Sequence, residues 1–258
     1  MTSNDPFNRM LHEPPGGLPT ARGAVAAPAR FPLGLCILGI TSTSSGLLAA
    51  ALSVKWGAAP PTGDALPFAW LYVNVMLAFT WLIVWPAVAL RPNRTGGPAL
   101  TRLLVNDAAA LAIAAVPALG TAAFLSDIIN FTTTLVVFQQ AGIALFSMGV
   151  LAVSISGRDK YPTLPGLAAG LLATLTCAAP VFAFLWSNFF PRAPQGWSSA
   201  LPLVAIHRAA RNTSSSNAGW WIAAAYAFVG TALILVSIYV DARTRVITSS
   251  GSQTRPGT

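Results

Sequence analysis

Residues 102–156 read RLLVNDAAALAIAAVPALGTAAFLSDIINFTTTLVVFQQAGIALFSMGVLAVSIS. Two long apolar segments stand here with only Ser126 and Asp127 between them. The first, 103–125, carries Asn106 and Asp107 near its start and Pro117 in its middle. The second, 128–156, carries Asn130, the run Thr132-Thr133-Thr134 and the pair Gln139-Gln140 at mid-length. A helix rises about 1.5 Å per residue, so about 20 apolar residues cross a hydrocarbon core of about 30 Å. Each segment meets that length. The stretch reads as two membrane-crossing helices in a tight hairpin, and that reading sets the solvent for the rest of the chain.

Composition agrees with it. Charged residues are 9% of the 258 and apolar residues 54%, where a water-soluble domain carries roughly 25% charge. So few charges cannot cover a water-facing surface. The net charge is +8, but the basic residues stand singly between apolar runs. No cluster is dense enough to follow a phosphate backbone, which argues against nucleic acid as a partner. The lipid bilayer is the partner this charge pattern fits, with basic residues setting topology. Cys36 and Cys177 lie inside apolar runs and read as small packing residues. His12 and His207 lie outside them, so no histidine stands at membrane depth to ligate haem. No cofactor is expected.

Four further spans flank the hairpin. Span 1 covers 32–54, with a polar middle at Thr41-Ser42-Thr43-Ser44-Ser45. Ser42, Gly46 and Ala50 recur at a four-residue spacing that lets helices approach closely. Ala49-Ala50-Ala51 resembles a signal-peptidase site, but the apolar run exceeds the roughly 7–15 residues of a signal core, so the span is read as retained. Span 2, 67–90, is rich in aromatic residues and carries Asn74 and Pro86. Spans 3 and 4 are the hairpin, 103–125 and 128–156. Span 5, 164–189, carries Gly166 and Gly170 at small-residue spacing, and Pro180. Span 6, 219–240, opens on Trp220-Trp221. Residues 1–30 and 246–258 have the composition of disordered tails. The expected fold is an all-α integral membrane protein with a six-helix transmembrane domain over 31–245.

The positive-inside rule orients it. With the amino terminus inside, the inner segments hold eleven Lys or Arg residues and the outer ones four, namely Lys55, Arg192, Arg208 and Arg211. Both termini are therefore expected in the cytoplasm, in a bacterial inner membrane.

A few polar residues invite chemistry. Asp107 lies about a turn and a half into span 3, where it either pairs with Arg102 or Arg158 at the inner interface, or carries a proton or binds substrate. Gln139 and Gln140 are adjacent on span 4, so they point about 100° apart and address different neighbours. One is expected to bond a neighbouring helix, with Asn74 or the Ser/Thr run of span 1 as partner; lining a pathway is the other role. Asp127 and Asn130 read as caps of span 4. The loop at 190–218 contains a helical stretch, 201–211, with Leu203 and Ile206 apolar and His207, Arg208 and Arg211 basic. It is read as a short helix lying in the outer interface, its basic face wet or meeting an anionic substrate or headgroup. Three Asn-x-Ser/Thr triplets, at Asn93, Asn130 and Asn212, are not read as glycosylated. There is no phosphate-binding glycine loop, no zinc-ligand set and no nucleophile triad. No metal site and no enzymatic activity are expected.

Loop lengths carry a family resemblance. Six spans begin and end on one side. A basic loop, 91–102, with Arg91, Arg94 and Arg102, joins spans 2 and 3. The hairpin of spans 3 and 4 turns at Ser126-Asp127, and a long outer loop with an amphipathic stretch precedes span 6. This topology resembles the ABC-2 type permease, the membrane half of ATP-driven exporters. No amphipathic helix precedes span 1 and no ATPase domain is present, both departures from that pattern. The resemblance implies a separate ATPase subunit docking on Arg91, Arg94 and Arg102, and a homodimer with one pathway between its copies. The expected function is thus the permease subunit of an exporter. The alternative is a non-catalytic structural or assembly subunit of a larger membrane complex. Spans 1–3 and 4–6 do not mirror one another, which ranks a proton-coupled carrier last.

Overall fold

The computed structural model describes residues 32–55, 65–90, 98–126, 131–189, 196–210 and 216–251. Among these there are helices and turns and no strand. Six helical segments are long and apolar enough to cross a membrane: Leu33–Ser53, Phe68–Ala89, Arg102–Leu125, Thr133–Ser156, Leu164–Trp186 and Asn217–Arg243. The tail 1–30, the loop residues Arg91 and Arg94, the turn residues Asp127 and Asn130, and Arg211 lie outside the described residues.

Two helices are longer than their apolar cores. The helix of span 3 runs Pro98–Ser126. Pro98 stands at its first position, where a missing N–H costs nothing because that donor has no intrahelical partner. Arg102 is consequently helical and not part of the preceding loop. The helix of span 6 runs Ser216–Gly251, past the boundary at 245 where the composition had indicated a disordered tail.

Spans 2 and 5 share a local device. Each is an α-helix interrupted by a π turn: Thr80–Val84 in span 2 and Thr174–Ala178 in span 5. Each π turn begins on a threonine six residues before a proline, Pro86 or Pro180. Proline lacks a backbone N–H and its ring collides with the carbonyl four residues back. The wider turn relieves that collision. Trp85 donates to the Thr80 carbonyl and Ala179 to the Thr174 carbonyl, five residues back in each case. The break that proline imposes is thus absorbed inside the helix.

Spans 2 and 4 form the centre. Of their apolar windows 56% and 67% is buried, against 17–33% for the other four. Span 1 lies on span 2: Ser42 Oγ is 2.6 Å from Thr80 Oγ1, and a Cβ on Gly46 would come within 2.8 Å of Val73 Cα. Span 1 also meets span 3, where a Cβ on Gly39 would come within 3.2 Å of Ala114 Cβ. Here the small residues of span 1 permit the approach of backbones.

Span 4 packs most extensively on span 6. A Cβ on Gly142 would sit 2.7 Å from the Ala223 carbonyl, and one on Gly149 would sit 2.5 Å from the Gly230 carbonyl. One on Gly230 would sit 2.5 Å from the Leu145 carbonyl. One further heptad along, Ser156 and Ser237 hydrogen-bond at 2.8 Å. Residue numbers rise together on both helices, so spans 4 and 6 run parallel. The seven-residue spacing keeps one face of each helix on the other and implies a left-handed crossing.

The hairpin differs from its sequence reading. Spans 3 and 4 are neighbours in the chain but share only a limited contact. Span 3 is held by spans 1 and 2, and span 4 by span 6. The glycine-lined approaches decide this, because they allow closer packing than the facing surfaces of spans 3 and 4. The two helices consequently leave a cleft between them.

The small-residue spacing of span 5 also differs from expectation. A Cβ on Gly166 or Gly170 would meet nothing within 4 Å. Span 5 packs inward through Ala168 and Leu172 instead, which places its two glycines on the open face.

Candidate functional site

The cleft between spans 2, 3 and 4 has a volume of about 530 Å³. Span 2 forms its floor through Asn74, Leu77 and Trp81; spans 3 and 4 form the walls, from Val105 to Leu119 and from Val137 to Met148. Among the described residues no charged side chain lines it. Among the wall residues, Val105, Ala109 and Ala112 of span 3 and Val137 and Ala141 of span 4 are exposed. These positions lie along the length of the helices, so the mouth opens sideways, toward lipid. Along span 4 the lining runs from Val137 to Met148, about 16 Å at the helical rise, or half a hydrocarbon core.

The polar feature of this cleft is the pair Gln140 and Asn74. Gln140 is 7% exposed and Asn74 1%. Gln140 Nε2 donates to the Asn74 carbonyl at 2.7 Å and lies 3.3 Å from Asn74 Oδ1. Asn74 Nδ2 donates to the Trp70 carbonyl, one turn back. The carbonyl of Asn74 accepts only, so the nitrogen of Gln140 must face it. That fixes the amide, and leaves Gln140 Oε1 buried with no hydrogen-bond partner. Two turns further along the same interface, Ser147 Oγ donates to the Trp81 carbonyl at 2.6 Å. The centre of the bundle is therefore tied by side chains of span 4 bonding to the backbone of span 2.

Gln139 points elsewhere, as adjacent helical positions must. Its Nε2 lies 3.4 Å from the Gly219 carbonyl of span 6, and its Oε1 is likewise buried without a partner. The two glutamines thus divide span 4 between its two neighbours. Asp107 is 3% exposed and sits on the face of span 3 that carries Leu104, Ala110 and Leu111 toward spans 1 and 2. It does not line the cleft. Arg102 is exposed.

The loop before span 6 holds a second feature. Gly196–Ala200 forms a 3₁₀ turn and Pro202–Ala210 a short α-helix. This helix does not lie on the bundle as an interfacial helix would. Pro202, Ala205, Ile206, Ala209 and Ala210 are all buried, and the helix packs on spans 2 and 4. Only His207 presents an exposed side chain at its basic end, with Arg208 half-buried. The Tyr226 hydroxyl donates to the Ala200 carbonyl at 2.5 Å. Tyr226 is nine residues beyond Asn217, where span 6 begins, about 14 Å along a span of 27 residues. Ala200 therefore lies within the length of span 6, and the short helix that follows packs on spans 2 and 4, the arrangement of a re-entrant element. The amphipathic pattern read from the sequence is real, but its apolar face is covered by protein and not by lipid.

Sequence reasoning missed two things here. One is the seam of Gly142, Gly149 and Gly230, whose signal was the seven-residue recurrence of small residues in spans 4 and 6. The other is the re-entrant turn, for which the sequence holds only the pairing of Pro194 and Pro202 around a short stretch, QGWSSAL. Among the described residues no three His, Cys, Asp or Glu side chains gather to hold a metal ion. Compared with family models, curated proteins and solved structures, the chain matches none of them.

Proposed function

We propose that this chain is the membrane permease subunit of an ATP-driven exporter of the ABC-2 type. The observation that carries the reading is the re-entrant segment 196–210. Backbone that leaves the helix at membrane depth exposes amide groups that lipid cannot satisfy, and it persists where it is buried in protein or lines a pathway. An exporter can use such an element along its pathway, because two rigid walls must part there without opening the bundle to lipid. In this reading both termini and the segment 91–102 face the cytoplasm, and an ATPase subunit docks on Arg91, Arg94 and Arg102.

The test is co-purification of the native complex. A bound ATPase is expected, with turnover lost when Arg91 and Arg94 are replaced by Glu while the complex is still expressed. Stable association with an unrelated large complex, and no ATPase, would sink the reading. That outcome would favour the second one, a structural subunit of a larger assembly. Its support is the broad apolar faces of spans 1, 3, 5 and 6, which a partner complex would cover.

A further inference from the structure

We infer that the cleft between spans 2, 3 and 4 binds a single-chain membrane amphiphile that carries a hydrogen-bond donor such as a hydroxyl, and that Gln140 receives the donor. The inference rests on the permease reading for what such binding is used for, though not for the binding itself.

Three observations converge. First, the mouth is formed by exposed residues of spans 3 and 4 at mid-length, so whatever enters comes from the lipid phase. Second, the walls are uncharged and the length matches one leaflet. That excludes ions and admits a single hydrocarbon chain. Third, Gln140 Oε1 is a buried acceptor without a partner in the wall of that cleft. An unmet acceptor costs about 1–3 kcal/mol in a protein interior, and no group of the protein donates to this one. Asn74 Nδ2 donates to the Trp70 carbonyl and Gln140 Nε2 to the Asn74 carbonyl, while the indole Nε1 of Trp81, in the same lining, is also buried without a partner. A donor arriving with a ligand meets the need, and a pure hydrocarbon does not.

The depth matters as well. Gln140 stands nine residues after the start of its helix at Phe131, about 14 Å in. A free lipid keeps its hydroxyl at the interface, because the core offers it no partner. A site that offers an acceptor at mid-depth lowers the barrier for drawing such a group across. The depth therefore suits a halfway station for an amphiphile moving between leaflets.

The experiment uses the full chain in lipid nanodiscs and two photoactivatable probes. One is a long-chain primary alcohol with a diazirine near its far end; the other is its methyl ether, which has no donor. Labelled positions are mapped by mass spectrometry. The alcohol is expected to label Val105, Ala109 or Met148 in preference to Phe228 on the open face of span 6, and about threefold to tenfold more than the ether, the fold-change corresponding to one net hydrogen bond. Ala109→Phe, at an exposed position, fills the mouth and is expected to suppress cleft labelling by both probes. Gln140→Met is expected to abolish the preference for the alcohol while labelling persists. Equal labelling of cleft and Phe228, equal labelling by alcohol and ether, or indifference to Ala109→Phe would each overturn the inference. No ATP and no second subunit enter the measurement. Cleft labelling without an ATPase partner would remove the permease reading alone, and an ATPase complex without cleft labelling would remove this inference alone.

Discussion

Gln140 and Gly230 show how much a single position decides in this bundle. Gln140 joins spans 4 and 2 through Asn74, and inter-helix bonds of this kind contribute about 0.6–1.7 kcal/mol in membranes. A double-mutant cycle with Gln140→Leu and Asn74→Leu, read by unfolding in detergent, is expected to give a coupling of about that size. Gln139→Leu should cost less, because its bond to Gly219 is long at 3.4 Å. Gly230 works by absence. Any side chain there meets the backbone at Leu145 and Phe146, so Gly230→Leu is expected to destabilise by about 1–3 kcal/mol or more. Gly170→Leu, facing open space, should stay within about 0.5 kcal/mol of the parent in the same assay. The polar contact was legible in advance: a glutamine at mid-span must bond something, and Asn74 was among the few candidates. Gly230 was not legible, since glycine announces a close approach without naming what approaches. The two glycines the four-residue spacing did single out in span 5 face outward, because the pattern records only that contact is permitted.

At the scale of elements, span positions followed from length and hydropathy alone, since lipid leaves a chain few ways to satisfy its backbone. Departures from regular helix were less visible. Pro86 and Pro180 marked the sites, but the π turn that accommodates each begins six residues earlier, at Thr80 and Thr174. The re-entrant segment was legible as an amphipathic helix and not as an inserted one. Periodicity shows that one face is apolar and is silent about whether lipid or protein covers it. Its inner end is fastened by Tyr226. Tyr226→Phe removes the donor to the Ala200 carbonyl, and a loss of about 0.5–1.5 kcal/mol is expected. The same change should raise the rate at which a cysteine at Ser199 reacts with a water-soluble thiol reagent, measured with Cys36 and Cys177 replaced by Ala. No change in that rate would mean that the hydroxyl does not hold the segment down.

The whole molecule has a centre made of spans 2 and 4 and a periphery made of the other four. Its hairpin of spans 3 and 4 is tight in sequence and parted in space, because each helix is claimed by a different neighbour. Sequence adjacency predicted one pairing and close backbone approach decided another. One consequence is severability. Fragments 1–195 and 196–258, expressed together, are expected to co-purify and to rebuild the seam of spans 4 and 6. Gly230→Leu in the shorter fragment should abolish that co-purification, while Gly170→Leu in the longer one should leave it intact.

The two glutamines also put a clock into the making of this protein. When span 4 emerges from the ribosome, the partner of Gln140 is already in place, 66 residues upstream. The partner of Gln139 lies 80 residues downstream and has not been synthesised. At about 5–20 residues per second, that interval is roughly 4–16 s. For those seconds span 4 carries an unanswered amide and a bare glycine groove. It must linger beside the insertion machinery, or in the keeping of another protein, until span 6 arrives to close over it.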